Sequence, residues 1–74
     1  MARSFDHVRK SLAQNIRALR DEAQLSQEEL ALRADVDRTY VSQIERAIGN
    51  PSLLVLFKLS VVLGVDVKQL FHQD

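Results

Sequence analysis

Five polar side chains between positions 38 and 46 have types and a spacing that suit contact with the edges of DNA base pairs. They lie at helical steps along the chain and are Arg38, Thr39, Ser42, Gln43 and Arg46. In an α-helix this spacing places them on an exposed face, while Val41 and Ile44 turn inward. Guanidinium, amide and hydroxyl groups hydrogen-bond to base edges in the major groove, and an α-helix fits that groove. The segment is therefore a candidate for reading DNA sequence.

The residues before this segment predict a second short helix that would hold it at a fixed angle. Ser26 and Glu29 have the spacing of a capping box, so a helix starts after Ser26. Its buried positions would be Leu30, Ala31 and Ala34. A break at residues 35–37 follows, and Asp37 is expected to cap the next helix. Two short helices joined by such a turn form a helix-turn-helix, here residues 27–46.

The remaining pattern predicts an all-α fold of five helices. The first helix runs from about Phe5 to Ala23, with Ser4 as its N-cap. Its apolar stripe consists of Phe5, Val8, Leu12, Ile16, Leu19 and Ala23. Residues 47–51 form the clear loop, after which Ser52 caps a fourth helix over residues 53–63. Gly64 ends that helix, and Asp66 caps a short fifth helix that docks through Leu70 and Phe71.

The fourth helix is apolar on nearly all sides, which predicts burial on more than one side. One face would cover the core through Leu53, Leu56, Leu59 and Leu63. A second stripe, with Val55 and Val62 adding a third row, would be left for another molecule and contains Leu54, Phe57 and Val61. We expect this second stripe to form a homodimer within residues 53–71. The alternative is that Phe5 and Val8 of the first helix cover part of it.

The composition limits the number of domains and the kinds of site that the chain can contain. The 74 residues allow one domain over residues 1–74, and the absence of cysteine excludes disulfides and thiolate metal sites. The sequence has no membrane span or signal peptide, no phosphate loop, no metal-spaced cluster and no nucleophile motif, so we expect no enzyme, metal site or cofactor. Ten basic and ten acidic residues give a net charge of zero. The chain thus lacks the excess of basic residues that is usual in DNA-binding proteins, and this predicts poor non-specific affinity for DNA.

More than half of the chain resembles a known protein family. The stretch LSQEELALRADVDRTYVSQIERAIGNPSLLVLFKLSVVLGV resembles the phage repressor and Cro class (Xre-like) of helix-turn-helix proteins. RTYVSQIER followed by NPSL looks most similar to the controller proteins of restriction–modification systems. The resemblance implies a compact, five-helix, lambda-repressor-like domain. It also implies base contacts from Arg38, Thr39, Ser42, Gln43 and Arg46, and phosphate contacts from Gln27, Tyr40 and Asn50. Glu45 is expected to orient a neighbouring arginine rather than to touch DNA.

The function that this resemblance implies is sequence-specific regulation of transcription. The expected partner is a palindromic operator in double-stranded DNA, bound by a homodimer in the cytoplasm of a prokaryote. No small-molecule ligand is expected. The alternative is an antitoxin or protein-interaction module of the same fold, which would bind a partner protein.

The sequence departs from the family pattern at four positions. Gln24, Asp35 and Ala47 stand where the family commonly has glycine, and Gly49 replaces a basic residue. Asp tolerates a left-handed backbone better than most residues, so the turn at Asp35 can survive. The change at Gly49 removes one expected phosphate contact.

Overall fold

The described part of the chain folds into four α-helices followed by one 3₁₀ helix. The computed structural model describes residues 2–73. In chain order the α-helices are α1 (Phe5–Glu22), α2 (Gln27–Ala34), α3 (Arg38–Glu45) and α4 (Leu53–Leu63), and the 3₁₀ helix spans Val67–Phe71. The described residues contain no strand, so the all-α prediction is confirmed. None of the helices within residues 2–73 combines the length and apolarity that crossing a bilayer requires.

Each helix begins at a residue whose side chain accepts a hydrogen bond from a backbone N–H of the first turn. The predicted caps are all found, at Ser4, Ser26, Asp37, Ser52 and Asp66. At α2 the capping box is complete, because Glu29 also accepts from the Ser26 N–H at 3.0 Å. Such caps satisfy amide groups that the helix itself leaves unpaired, which fixes where each short helix starts.

The predicted fifth helix differs from the α-helix expected. It is a 3₁₀ helix of five residues, and its docking residue Leu70 is fully buried. The Asn15 side chain of α1 donates from Nδ2 to the carbonyl oxygens of Leu70 at 2.9 Å and His72 at 2.8 Å. These two bonds satisfy carbonyls at the end of the chain and hold the 3₁₀ helix against α1.

The core lies where α1, α2, α3 and α4 converge with the 3₁₀ helix. Its completely or almost completely buried side chains include Ile16, Leu30, Val41, Leu59 and Leu70. Each helix therefore contributes at least one such side chain. Because α2 and α3 have only eight residues each, this shared packing rather than helix propensity keeps them folded.

Two predicted core stripes extend less far than the sequence suggested. Leu56 and Leu59 of α4 are buried, but Leu53 is 70% exposed. In α1, Phe5 is 57% exposed and Ala23 is also exposed. These three positions lie at or just beyond helix ends, where the helical period still points inward but no neighbouring element covers the side chain.

Within residues 2–73, three residues other than glycine adopt a left-handed backbone, each just after an α-helix. They are Gln24, Asp35 and Ala47, with φ of 59°, 56° and 56°. These are the three positions where the resemblance expects glycine, so the backbone geometry is kept although the residue differs. A left-handed residue with a Cβ costs roughly 1–2 kcal/mol. The chain therefore contains removable strain, and Ala47 lacks a polar side chain to offset it.

We expect Ala47→Gly to raise the free energy of unfolding by about 0.5–1 kcal/mol. Relief of the left-handed strain exceeds the extra entropy that glycine brings to the unfolded chain. The matched control is Ala18→Gly in the middle of α1, which should lower stability by about 1 kcal/mol. Urea unfolding measures both values, and equal losses for the two variants would contradict the strain argument.

Candidate nucleic-acid interface

The polar residues predicted on α3 surround one shallow, open depression. Its volume is about 240 Å³, and its lining residues are Arg38, Thr39, Ser42, Gln43 and Arg46. Arg38, Thr39 and Arg46 are exposed, whereas Ser42 and Gln43 are half-buried at the floor. The structure thus brings together all five side chains singled out for base contacts. We call this surface the α3 depression.

The rigidity of α3 comes from its opposite face and its two ends. Val41 and Ile44 are buried in the core, with at most 3% of either residue exposed. Asp37 accepts from the Thr39 N–H at 2.8 Å and fixes the first turn. After the helix, the Ile48 N–H donates to the Gln43 carbonyl oxygen at 3.0 Å. The depression is therefore lined by side chains on a backbone that packing and capping hold in place.

Gly49 has a left-handed backbone in which a residue with a side chain would be strained, and a Cβ there would also meet a side chain of α3. A Cβ built on Gly49 would lie 3.3 Å from Oε1 of Gln43, and its φ is +78°. The basic residue that the family resemblance suggests at this position would meet both difficulties here. The departure from the family pattern thus matches the local geometry and keeps Gln43 free to line the depression.

Two of the predicted phosphate-contacting residues lie beside the α3 depression. Tyr40 and Asn50 line a small neighbouring hollow of about 40 Å³, and Gln43 borders both surfaces. Tyr40 is 45% exposed, so its ring is not enclosed in the core. Asn50 is exposed as well.

The third such residue, Gln27, lies elsewhere and already has a partner. It is half-buried at the start of α2, and its Nε2 donates to Oε1 of Glu45 at 3.1 Å. An amide nitrogen has two N–H donors, so one remains for a further acceptor. The bond orients Gln27 and connects the start of α2 to the end of α3.

Glu45 is the centre of an ionic network that sequence reasoning did not find. The residue is only 4% exposed. Arg20 of α1 donates to both carboxylate oxygens, from Nε at 2.7 Å and from Nη2 at 2.9 Å. Arg20 also donates from Nη1 to the Leu25 carbonyl oxygen at 2.8 Å. Glu45 does orient an arginine, but that arginine is 25 positions away in sequence rather than the adjacent Arg46.

The ionised form of Glu45 is favoured despite its burial. Burial raises the pKa of the Glu45 carboxyl, but hydrogen bonds from Arg20 and Gln27 outweigh it and hold that pKa below the usual range. The same Glu45 bond raises the pKa of Arg20. A buried carboxylate is costly unless it is paired and hydrogen-bonded, so this network fixes α1, α2 and α3 relative to one another.

Comparison with protein families and curated proteins gives a consistent result. The helix-turn-helix family HTH_3 matches residues 16–70. The control protein C.BamHI from Bacillus amyloliquefaciens is 41% identical over 66 residues, which cover 88% of this chain and 82% of that protein. SinR from Bacillus subtilis, an HTH-type transcriptional regulator, is 41% identical over 63 residues, or 84% of this chain and 57% of SinR.

Solved structures show the same fold. The restriction–modification controller protein C.AhdI from Aeromonas hydrophila superimposes with a TM-score of 0.80 at 38% identity, over 85% of this chain and 96% of C.AhdI. SinR in complex with DNA superimposes with a TM-score of 0.76 at 42% identity, over 82% of this chain and 98% of that one. The similarity therefore includes both ends of the helix-turn-helix and the elements that support it.

We expect Glu45→Gln to lower the free energy of unfolding at pH 7 by about 3 kcal/mol, because it leaves the partly buried Arg20 charge with only the exposed Asp21 carboxylate, 3.5 Å away, as a counter-charge. A lowered carboxyl pKa stabilises the fold above the unfolded value of about 4.3. That contribution is lost as the pH falls through the folded pKa.

The gap in the free energy of unfolding between wild type and Glu45→Gln should therefore be largest near neutral pH and shrink below about pH 4. Urea unfolding between pH 7 and pH 3 measures this gap. Glu22→Gln, at an exposed position in the last turn of α1, is the matched control and should behave like wild type throughout. A gap that stays constant with pH would show that charge is not its cause.

Proposed function

Because the chain belongs to the helix-turn-helix family HTH_3, we propose that it regulates transcription by binding a specific sequence in duplex DNA. Within that family we infer a regulator of the restriction–modification controller type. The similarity to C.BamHI and C.AhdI over more than four fifths of each protein supports this assignment. The site of action would be the cytoplasm of a prokaryote.

The observation that carries the proposal is the α3 depression. Its lining includes two guanidinium groups, from Arg38 and Arg46, and no carboxylate. The remaining lining groups are two hydroxyls and one amide, which donate and accept hydrogen bonds as base edges require. Such a surface is suited to the floor of the major groove, where each base pair presents a different pattern of donors and acceptors.

We assign direct base contacts to the five side chains of the α3 depression. Arg38, at the start of α3, is the leading candidate for a bidentate contact with guanine, the commonest specific contact in such complexes. Tyr40, Asn50 and Gln27 would bind phosphates and set the position of α3 along the duplex. Zero net charge makes the many separate contacts necessary, because non-specific attraction to DNA is weak.

We further propose a homodimer that forms through an exposed apolar stripe on α4 within residues 53–71. The stripe consists of Leu54, Phe57 and Val61, which are 61%, 54% and 61% exposed. The alternative cover, Phe5 and Val8 of the first helix, leaves each of these three side chains more than half exposed. Large apolar side chains exposed together on one helix favour association.

A two-fold dimer of this kind explains how a small domain could achieve specificity. It would place two copies of α3 about one turn of DNA apart, ~34 Å, facing two half-sites of a palindromic operator. Contacts in both half-sites would then add, which offsets the weak electrostatic attraction of a neutral chain.

Arg38→Ala should weaken binding to the preferred duplex by about 1–3 kcal/mol and relax the base preference at one position in each half-site. The matched control is Arg33→Ala, which removes the same charge from an exposed position on α2 outside the α3 depression. Duplexes selected from a random-sequence pool by the wild-type protein, titrated in gel shifts, provide the measurement. Unchanged affinity and preference in Arg38→Ala would show that α3 does not read the bases. Selection of no duplex by the wild type, with capture of a partner protein instead, would favour the interaction-module alternative.

Val61→Glu should give a folded monomer with much weaker operator binding, because the new carboxylate would be desolvated in the proposed interface. The control is Leu32→Glu, since Leu32 is 79% exposed on α2, away from the α4 stripe. Sedimentation at tens of micromolar should show dimers for wild type and Leu32→Glu. A monomeric wild type, or a dimeric Val61→Glu, would eliminate this interface.

A further inference from the structure

Arg17 of α1 is an arginine that makes a hydrogen bond within the folded chain but none to a carboxylate. Its Nη2 donates to the main-chain carbonyl oxygen of Glu45 at 2.6 Å. Its Nε lies 3.6 Å from Glu45 Oε1, within ion-pair range but without a hydrogen bond. The Glu45 carboxylate already receives two hydrogen bonds from Arg20 and one from Gln27. The charge of the Glu45 carboxylate is thus neutralised by Arg20. Arg17 makes no hydrogen bond to this carboxylate, so no such bond neutralises the charge of Arg17.

The side chain of Arg17 is also open to a ligand. It is 53% exposed, in contrast to 16% for the Arg20 side chain and 2% for that of Glu45. An arginine has five N–H donors, and the bond to the Glu45 carbonyl uses one of them. The remaining donors are available while that single bond holds the guanidinium in place, so little side-chain entropy would be lost on binding.

Arg17 lies beside a residue already proposed to contact DNA. Oε1 of Glu45 is 3.1 Å from Nε2 of Gln27 and 3.6 Å from Nε of Arg17, so both groups surround the same oxygen. The residue after Glu45 is Arg46, which lines the α3 depression. The guanidinium of Arg17 therefore lies where α1, the start of α2 and the end of α3 meet, on the same carboxylate as Gln27.

We propose that Arg17 binds a backbone phosphate of the operator, next to the phosphate bound by Gln27. The guanidinium presents planar, charge-assisted donors that match phosphate oxygens. This inference rests on the DNA-binding function proposed above and adds a charged contact from α1 to a surface otherwise built by α2 and α3.

The competing interpretation is purely structural. α3 has no basic residue in its last turn, and Arg17 could serve only to cap the Glu45 carbonyl and the negative end of that helix. A structural role changes stability, whereas a phosphate contact also changes the number of counterions that DNA binding releases. The salt dependence of binding separates the two interpretations.

The test uses Arg17→Gln and Arg17→Met, which are neutral and leave the pair between Arg20 and Glu45 intact. Binding to the duplex selected by wild type is measured from 50 to 200 mM salt, after thermal unfolding has identified a folded variant. The slope of log K against log salt should fall in magnitude by about 0.9 for each phosphate that is no longer neutralised, or about twice that for a dimer. Arg17→Lys should restore most of the slope because it restores the charge.

The matched control is Lys10→Gln, which removes a charge from another exposed position on α1, with 68% of its side chain accessible. It should keep the wild-type slope. A wild-type slope in both neutral Arg17 variants would overturn the phosphate contact and leave a capping role. If the wild type bound no selected duplex, or bound it with an affinity that did not change with salt, the proposed function itself would be overturned.

Discussion

The buried carboxylate of Glu45 is the constraint on which the DNA-binding surface depends. An ionised group with 4% exposure would destabilise the fold severely if it lacked partners. Its partners come from two other helices, Arg20 from the last turn of the first helix and Gln27 from the start of the second. Bidentate bonding to Arg20 restricts angle as well as distance. The end of α3 therefore cannot rotate or slide against α1 without breaking several charge-assisted bonds. The same bonds fix the orientation of the α3 depression.

The features predicted correctly from sequence are those set by residues close together in the chain. Helix starts follow from caps such as Ser26 with Glu29, three positions apart, and the alignment of Arg38 with Ser42 follows from the helical period. The partner of Glu45 could not be predicted in this way, because several arginines were available and only the packing of α1 selects Arg20. The exposure of Leu53 was missed for a related reason. Periodicity gives the direction in which a side chain points but not where the neighbouring element ends.

The net charge of this chain does not describe how its charges are distributed over the folded surface. A total of zero counts against DNA binding when charge is treated as evenly spread. In the folded protein, two arginines and no acid line the α3 depression, and the nearby Glu45 is neutralised by Arg20. What a phosphate or base experiences is this local field, because exposed charges further away are screened within about 10 Å at ordinary salt. The separation of charges in space, which the total conceals, is compatible with binding a polyanion.

Stability and the proposed dimer are linked by the way this small domain is built. Gln24, Asp35 and Ala47 each hold a left-handed backbone that glycine would adopt without a steric cost, and the α4 stripe leaves large apolar side chains exposed. A domain of 74 residues has little surplus stability to offset either feature. Burial of the α4 stripe against a second copy would add stability that grows with protein concentration. Under the proposed function, folding, dimerisation and occupation of a two-fold operator would then rise together as the protein accumulates. Such a regulator would respond to its own concentration without a separate site for a small-molecule signal.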